Sequence, residues 1–418
     1  MSRLHVLIAG AGIVGLSVAY HLRQGGADVT VVDRDLEGDK ASFGNAGGIA
    51  VTEVVPASAP GVAWRVPGWM ADPLGPVSVR PAHAPRLLPW LIGFARAGAP
   101  RAVDRISAAL AALNTRADQD LVALLQDIGL PGELNRSGAL TLYETAEGFA
   151  RDAWEWRLKR AAGWEAQDIP GAEARALEPD IGANVRCAVL TPQWSTLKDP
   201  ERLALALGAW LRRAGVVFRS GEVAGVEVAG LRLAGGETLT ADRVVVAAGA
   251  WSGALARSAG DPVLIESERG YTATLASPGV RLTRELIFAE RKFVAAPLDC
   301  GLRIGGAAEF GGLDAKPNFK RSQALLALAA RYLPGLRSDG AVYWAGHRPT
   351  TPDSLPVIGS SPRDPRILYA FGHGHLGLTQ AATTGRLIAD LVFARPPAMD
   401  MSPFSIARFA RGGHALAS

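Results

Sequence analysis

The sequence predicts an α/β protein that has a doubly wound, mainly parallel sheet and a second, α+β part built on a mainly antiparallel sheet. Residues 4–9 form an apolar run of strand length that enters a glycine-rich turn and then a helical pattern. Residues 29–32 form a second such run, and residues 244–248 form a third one far along the chain. Strand-like pieces within 269–308 predict the antiparallel sheet, and 418 residues exceed one ordinary core.

The composition is that of a folded protein, with 48% hydrophobic and 20% charged residues. The net charge of +4 comes from arginines spread along the chain without basic clusters, so we expect no nucleic-acid partner. Cys187 and Cys300 lie far apart and show no metal-binding spacing. We therefore expect reduced thiols and no metal.

The apolar run near the N-terminus resembles a signal peptide, but glycines interrupt it and no small-residue cleavage site follows. No stretch reaches the ~18 apolar residues that would span a bilayer. We expect a soluble cytoplasmic protein, and peripheral contact with the inner face of the cytoplasmic membrane is the alternative.

The first glycine-rich turn predicts a nucleotide-binding loop of the Rossmann type. Gly10 permits the turn, Gly12 lets a pyrophosphate approach the backbone, and Gly15 lets the helix pack closely on the sheet. The second strand ends in Asp33, where a carboxylate would accept hydrogen bonds from a ribose. An acidic residue there favours FAD or NAD over NADP, and the alternative is an ordinary glycine-rich turn in a parallel sheet.

A second glycine-rich loop, "GDKASFGNAGGIA" at 38–50, follows closely and offers Ser42 and Asn45 as polar groups. Two such loops suit a long diphosphate cofactor that lies extended across the sheet, which favours FAD over a nicotinamide cofactor. The alternative is a flexible surface loop.

The segment "GHGHLGL" at 372–378 again places bare backbone before a helix, which we predict at 379–391. Its amides would stabilise negative charge on the pyrimidine end of a reduced flavin. His373 or His375 would add a donor, and structural histidines are the alternative.

The predicted cofactor domain is discontinuous, because its strands are far apart in sequence. The predicted division is 1–50, 195–262 and 344–395 for the FAD-binding domain, 51–194 and 263–343 for the substrate-binding or cap domain, and 396–418 for a C-terminal tail. We expect the tail to be solvated, and contact of Arg408 and Arg411 with anionic lipid is the alternative.

Several segments occur in an order that resembles the glycine oxidase, sarcosine oxidase and D-amino-acid dehydrogenase group of FAD-dependent amine oxidoreductases. They are "SFGNAGG", "VVVAAGAWS", "ERGYTATL", "GHRPTTPDSLPVIG" and "YAFGHGHLGLT". "VPGWMADPLGPVSVR" and "PWLIGFARAG" are similar to the D-amino-acid dehydrogenase and glyphosate oxidoreductase branch. The resemblance implies oxidation of a C–N bond beside a carboxylate, with hydride passing from Cα to flavin and the imine hydrolysing afterwards.

By this resemblance, Arg348 holds the substrate carboxylate, a role that suits a planar and permanently charged guanidinium. The alternative is that Arg348 pairs with Asp353 or caps a helix. Tyr271 would close the pocket or share the carboxylate, and a buried structural tyrosine is the alternative. His347 would present a polar group to the substrate. We assign no catalytic base, because a dry pocket beside a cation lowers the pKa of an ammonium group.

Two positions depart from the sarcosine oxidases. Those enzymes attach flavin through a cysteine whose position corresponds to Gly346 here, so we predict noncovalent FAD. They also carry a lysine that promotes reaction with oxygen, and the equivalent position here is Leu313. An apolar residue there indicates a dehydrogenase that passes electrons to a quinone or a carrier protein.

The leading hypothesis is an FAD-dependent dehydrogenase of D-amino acids or of secondary amino acids such as D-proline and hydroxy-D-proline. The alternatives are an oxygen-using oxidase of the glycine, sarcosine or glyphosate type, a noncatalytic flavoprotein subunit and a NAD-linked dehydrogenase. The predicted catalytic residues are Arg348, Tyr271, His347 and His375. The predicted cofactor contacts are Gly10, Gly12, Ile13, Val14, Gly15, Asp33, Arg34, Ser42, Asn45, Ala46, Gly47, Gly48, Val223, Ala248, Gly249, Trp251, Gly372, His373, Gly374, His375, Leu376, Gly377, Leu378 and Thr379.

Overall fold

The computed structural model describes residues 3–72, 74–227 and 230–410. The strands in chain order are β1 His5–Ala9, β2 Asp28–Asp33, β3 Gly48–Ile49, β4 Val77–Val79, β5 Leu134–Asn135, β6 Ala139–Tyr143, β7 Gln167–Pro170, β8 Cys187–Thr191, β9 Ser195–Leu197, β10 Val217–Ser220, β11 Val223–Glu227, β12 Gly230–Leu233, β13 Thr238–Thr240, β14 Arg243–Val246, β15 Glu266–Leu275, β16 Glu285–Phe288, β17 Phe293–Leu298, β18 Gly301–Phe310, β19 Val342–Thr350, β20 Val357–Ser360 and β21 Ile367–Phe371. The α-helices are α1 Ile13–Gln24, α2 Val62–Ala71, α3 Ala84–Ala97, α4 Pro100–Asn114, α5 Ala117–Asp127, α6 Ala146–Ala161, α7 Gly171–Leu177, α8 Pro200–Arg213, α9 Ser252–Ser258, α10 Lys320–Tyr332 and α11 Gly377–Val392.

The first sheet has the order β10-β2-β1-β14-β21-β20 within the described chain. Neighbouring strands from β10 to β21 are parallel, and β20 pairs antiparallel with β21. Helices α1, α8 and α11 pack on one face in a core that includes Leu22, Leu207 and Ile388. The β11–β13 sheet and α9 cover the other face around Val246 and Leu255. This arrangement confirms the predicted doubly wound α/β fold.

The second sheet is mixed and mainly antiparallel, with the order β19-β15-β18-β17-β16-β6-β8-β7 and with β4 beside β18 among the described residues. Only the β16–β6 and β18–β4 pairs in it are parallel. Helix α10 packs on one face through Leu325 and Ala329, in a core shared with Ile304 and Phe288. The predicted second part with a mainly antiparallel sheet is therefore confirmed.

Strand β19 belongs to the second sheet, whereas the predicted domain division placed most of it in the cofactor domain. Residues 344–395 were expected in the cofactor domain, but 342–350 pair antiparallel with β15 in the second sheet. The chain then enters the first sheet at β20. A strand on the edge of one sheet followed by a strand of the other cannot be recognised from local sequence, because both patterns are equally strand-like.

The C-terminal segment packs on the protein, so the expectation of a solvated tail is wrong for residues 402–409. Two short 3-10 helices at Ser402–Phe404 and Ile406–Phe409 bury Phe404 and Ile406 completely or nearly so. Arg408 donates to Asp353 at 2.8 Å and to the Leu355 carbonyl at 2.6 Å, and both members of the ion pair are about 5% exposed. Arg411 lies outside the described residues.

Among the helices of the described residues, none combines the length and the apolar character needed to cross a membrane.

The buried ion pair gives a stability prediction. Arg408→Met should lower the free energy of unfolding by about 3–5 kcal/mol, because it leaves Asp353 buried without its partner. Arg366→Met is the matched control, since it removes the partner of Asp364 at the surface and should change stability little. Urea unfolding of both variants measures the difference, and equal losses would contradict this account of the segment.

Candidate active site

A cavity of about 1850 Å³ lies between the two sheets, where the carboxyl ends of β1, β2 and β14 face β15, β18 and β19. This volume exceeds the ~300–1,000 Å³ of an ordinary ligand pocket and leaves room for a long cofactor together with a substrate. Most of the predicted site residues line it: Gly10, Gly12, Ile13, Val14, Asp33, Arg34, Ser42, Asn45, Ala46, Gly47, Gly48, Val223, Ala248, Gly249, Trp251, His347, Arg348, His373, Gly374, His375, Gly377 and Leu378. The predicted residues outside the lining are Gly15, Tyr271, Gly372, Leu376 and Thr379.

One end of the cavity is the turn between β1 and α1. Gly10 has a φ of +113°, which favours glycine, and a Cβ at Gly15 would collide with the Gly10 carbonyl. A Cβ at Gly12 would meet only Ser42 Oγ, at 3.7 Å, so this glycine leaves free space on the cavity side. Asp33 accepts a hydrogen bond from the Ala11 amide at 2.7 Å, which fastens the turn to the end of β2. The space beside Gly12 fits a phosphate at a helix N-terminus.

Arg34 and Trp251 lie together near this end. The Arg34 guanidinium lies over the Trp251 ring at 3.9 Å, and the rings of His347 and Trp251 pack in a T-shaped arrangement with centroids 5.3 Å apart. Nδ1 of His347 lies 2.6 Å from Ser267 Oγ. Burial, together with Arg269 and Arg34, lowers the pKa of His347 to about 4, so this ring is neutral at pH 7. His347 therefore lies with Trp251, and its predicted contact with the substrate stays a prediction.

The second glycine-rich loop is ordered by its own side chains, unlike a flexible surface loop. Asn45 accepts from the Gly47 amide at 2.8 Å, and its amide nitrogen donates to the Ser42 carbonyl at 2.6 Å. Arg303 on β18 donates to the carbonyls of Phe43 and Asn45 at 3.0 and 2.8 Å. Local sequence could not identify Arg303 as a partner of this loop, because it lies about 260 residues away in the chain.

The two histidines before α11 have different surroundings. His373 is buried, with Nε2 at 3.0 Å from Thr384 Oγ1, and burial lowers its pKa to about 3. His375 is exposed to the cavity. Desolvation lowers the pKa of His375, Arg348 adds to the shift, and Glu268 opposes it. His373 therefore fixes the segment, while His375 presents a neutral ring to the cavity.

Thr379 joins the second loop to α11, which explains its position outside the lining. Its hydroxyl accepts from the Ala50 amide at 2.9 Å. The helix itself begins at Gly377, close to the predicted start at 379.

Arg348 is held in an ion pair on the cavity surface. Its Nη1 donates to Glu268 Oε1 at 2.8 Å and to the Ala307 carbonyl at 2.9 Å. Ala307 has a left-handed φ of +55° at a bulge of β18, which turns this carbonyl toward Arg348. The alternative pairing with Asp353 is wrong, because Asp353 pairs with Arg408. Among the described residues, the Nε–Nη2 edge of Arg348 has no hydrogen-bond acceptor.

Tyr271 lies on the far face of β15. Glu268, Gly270 and Thr272 face the cavity, so the intervening side chains point away. Tyr271 is fully buried, donates to Glu309 Oε2 at 2.7 Å and accepts from the Asn318 amide at 2.9 Å. It matches the structural alternative, and we remove it from the catalytic set.

Sequence reasoning missed a group of ionisable residues in the lining. Lys159 on α6 is buried between Glu53 at 2.7 Å and Glu155 at 3.0 Å. Burial acts to raise the pKa of Glu53, but Lys159 outweighs it and holds that pKa below its usual value. Lys292, with a left-handed φ of +56°, also lines the cavity. The apolar residue Leu313 therefore does not mean that the cavity lacks a lysine.

Glu285 is a buried carboxyl group in the same lining. It accepts from Trp194 Nε1 at 2.8 Å and lies beneath Gly48, where a Cβ would meet its Oε2 at 2.7 Å. Burial raises the pKa of Glu285 to about 8. No local pattern marked Glu285, because its environment comes from residues distant in sequence.

These residues fit FAD. The space at Gly12 receives a diphosphate, Asp33 faces the cavity beside it, and the glycine-rich segments at 47–48 and 374–377 line the other part. Neither cysteine lines the cavity, and a side chain at Gly346 would collide with the ring of Trp344. The site therefore suits a noncovalently held flavin.

Comparison with known proteins agrees with this fit. The family model described as FAD dependent oxidoreductase matches residues 5–391. A D-amino-acid oxidase of Bradyrhizobium diazoefficiens is 35% identical over 97% of this chain and 99% of its own length. A D-amino acid dehydrogenase of Dechloromonas aromatica is 32% identical over 94% of this chain and 98% of its own length.

The fold is also that of solved flavoenzymes. Glycine oxidase from Geobacillus kaustophilus matches with a TM-score of 0.74 at 24% identity, covering 98% of this chain and 99% of that one. L-proline dehydrogenase from P. horikoshii matches with the same TM-score at 18% identity, covering 98% and 99%. At these identities the likeness supports the fold.

The space beside Gly12 predicts a selective loss of cofactor. Gly12→Ala should fold normally but bind FAD roughly tenfold more weakly or worse, because the added methyl occupies the diphosphate position. The FAD content after purification and a fluorescence titration of the apoprotein measure this effect. Gly15→Ala is the contrasting variant and should also lose stability. Unchanged FAD affinity in Gly12→Ala would contradict the assignment.

Glu285 predicts a pH dependence of stability. Because the folded pKa of about 8 lies above the ordinary 4.5, the native protein keeps a proton that the unfolded chain loses. This group therefore lowers stability as pH rises from 4.5 to 8, by up to about 1.4 kcal/mol per pH unit. Glu285→Gln should gain stability relative to wild type across that window in urea unfolding. Parallel pH profiles would contradict the buried, protonated acid.

Proposed function

The chain belongs to the FAD-dependent oxidoreductase family, and from this premise we propose that it oxidises the Cα–N bond of a D-amino acid or secondary amino acid. The secondary amino acids that we propose as substrates include D-proline and hydroxy-D-proline. We propose a quinone or an electron carrier as the acceptor of the electrons. The names of the two relatives above, a D-amino-acid oxidase and a D-amino acid dehydrogenase, support the D configuration.

The open Nε–Nη2 edge of Arg348 is the observation that carries the proposal. Glu268 and the Ala307 carbonyl use only Nη1, so two parallel donors remain for a carboxylate. Gly270 lies against the guanidinium, where an added Cβ would come within 2.5 Å of its Cζ and Nη2 atoms. A carboxylate bound there is held in one orientation.

Two other ionisable residues of the lining add no uncompensated charge to the cavity. His375 offers a neutral ring on the cavity side, and Lys159 is compensated by two carboxylates. Bound FAD would supply the oxidant for the Cα–N bond. Holding Cα in a fixed position relative to that oxidant is the main contribution of the protein.

An apolar surface at the cavity supports a lipophilic acceptor. On α3, Leu88, Leu91 and Ile92 are 56%, 40% and 46% exposed, and Leu91 also lines the cavity. Exposed apolar side chains beside the cavity suit contact with a quinone or a membrane surface. Leu313 in the lining is consistent with an acceptor other than oxygen.

An oxygen-using oxidase is the second candidate, because Lys292 lines the cavity. Burial raises the pKa of Asp152, and Lys292 opposes this shift as a cation nearby. A cation of this kind would stabilise negative charge on reduced oxygen. Anaerobic reduction by substrate followed by air or by a soluble quinone separates the candidates. Fast recovery in air with peroxide formation favours the oxidase, and recovery with quinone alone favours the dehydrogenase.

Arg348→Lys tests the carboxylate site. Lysine keeps the charge beside Glu268 but lacks two parallel donors, so kcat/KM for amino acids should fall roughly a hundredfold. Anaerobic bleaching of the flavin by amino acids measures the reductive step alone. Unchanged reduction in Arg348→Lys would sink the proposed carboxylate site.

A further inference from the structure

We propose that Glu268 binds the substrate amino group, so that Arg348 and Glu268 together recognise the zwitterion of an amino acid. This inference rests on the proposed function and names the form of substrate that the same site receives. Glu268 thereby becomes a specificity-determining residue that sequence reasoning did not identify.

The backbone places the two side chains next to each other. Glu268 on β15 and Arg348 on β19 are direct partners in the antiparallel register, and both line the cavity. The Thr350 hydroxyl donates to Glu268 Oε2 at 3.2 Å. On its other side, β18 places Phe310 opposite Glu268 in the register. The carboxylate is therefore fixed in position, and its side chain is 19% exposed.

The charges explain what the pair can select. Glu268 neutralises the cation that a substrate carboxylate needs, so a simple carboxylate anion gains little net attraction at this position. An amino-acid zwitterion carries its two charges on groups bonded to the same carbon, so it can place its carboxylate on Arg348 and its ammonium on Glu268. The ligand then meets opposite charge at both ends, and neither member of the pair is left uncompensated. Glu268 stabilises the ammonium form and so opposes the lowering of its pKa that we expected from a cation in a dry pocket. The contact therefore describes binding, and the ammonium releases its proton to solvent before hydride leaves Cα.

Glu268 retains the capacity to accept. A carboxylate offers about four lone-pair positions, and Arg348 and Thr350 use two of those on Glu268. Desolvation outweighs Glu268, which acts to raise the pKa of His375, and holds that pKa below its usual value, so His375 is neutral. Among the residues that the structure describes, only Arg348 forms an ion pair with Glu268, so the substrate amino group is the partner that completes the site.

The test compares two ligands that differ only in the amino group. 2-Methylalanine lacks a Cα hydrogen and cannot be oxidised, and isobutyrate is the same molecule without nitrogen. Each is titrated into the FAD-loaded enzyme, and the flavin absorbance gives Kd. In wild type, 2-methylalanine should bind at least tenfold more tightly than isobutyrate.

Glu268→Gln should abolish that preference and leave isobutyrate binding equal or tighter, because Arg348 loses its competing anion. Glu266→Gln is the matched control on the same strand, since Glu266 pairs with His83 outside the lining and should keep the wild-type preference. A preserved preference in Glu268→Gln, or an equal weakening of both ligands, would overturn the inference while leaving amino-acid oxidation intact. If neither ligand binds wild type and no amino acid bleaches its flavin, the proposed function fails as well.

Discussion

The geometry of the site depends on one crossing of the chain between the two sheets. Strand β19 carries Arg348 in the second sheet and ends at Thr350, and β20 of the first sheet begins at Val357. Thr350 forms a bridge with His373, and the Gly374 amide donates to the Pro349 carbonyl at 2.9 Å. The strand that holds the carboxylate site is thereby fastened to the segment that opens α11. A shift of one sheet against the other would change the distance between Arg348 and the segment that opens α11.

Three ionisable sites of the lining are compensated within the protein or neutral. Lys159 is matched by Glu53 and Glu155, Arg348 is matched by Glu268, and Glu285 is neutral because of its burial. Paired or protonated groups avoid the high cost of isolated buried charge. The Arg348–Glu268 pair suits a substrate that is polar but neutral overall, and a zwitterion is a ligand of that kind.

The sequence predicted the parts of the site that depend on local patterns. The turn at Gly10 and Gly12 and the acid at Asp33 belong to one strand–helix–strand unit, and they lie together in the structure. Tyr271 was misplaced because the sequence does not reveal which alternate positions of β15 face the cavity.

Glu268 and Lys159 were missed for a different reason: their partners are 80 and 106 residues away in the chain. The predicted domain boundary at 344 was wrong for the same reason, because pairing with β15 determines where β19 lies. The expectation of a solvated tail was wrong because Asp353 determines where Arg408 packs.

The most direct measurement is a crystal structure of the FAD-loaded enzyme with a bound, non-oxidisable amino acid. The account predicts the ligand carboxylate within hydrogen-bonding distance of Arg348 Nε and Nη2, and its amino group on Glu268. A ligand bound elsewhere in the cavity, with the Arg348–Glu268 pair untouched, would contradict it.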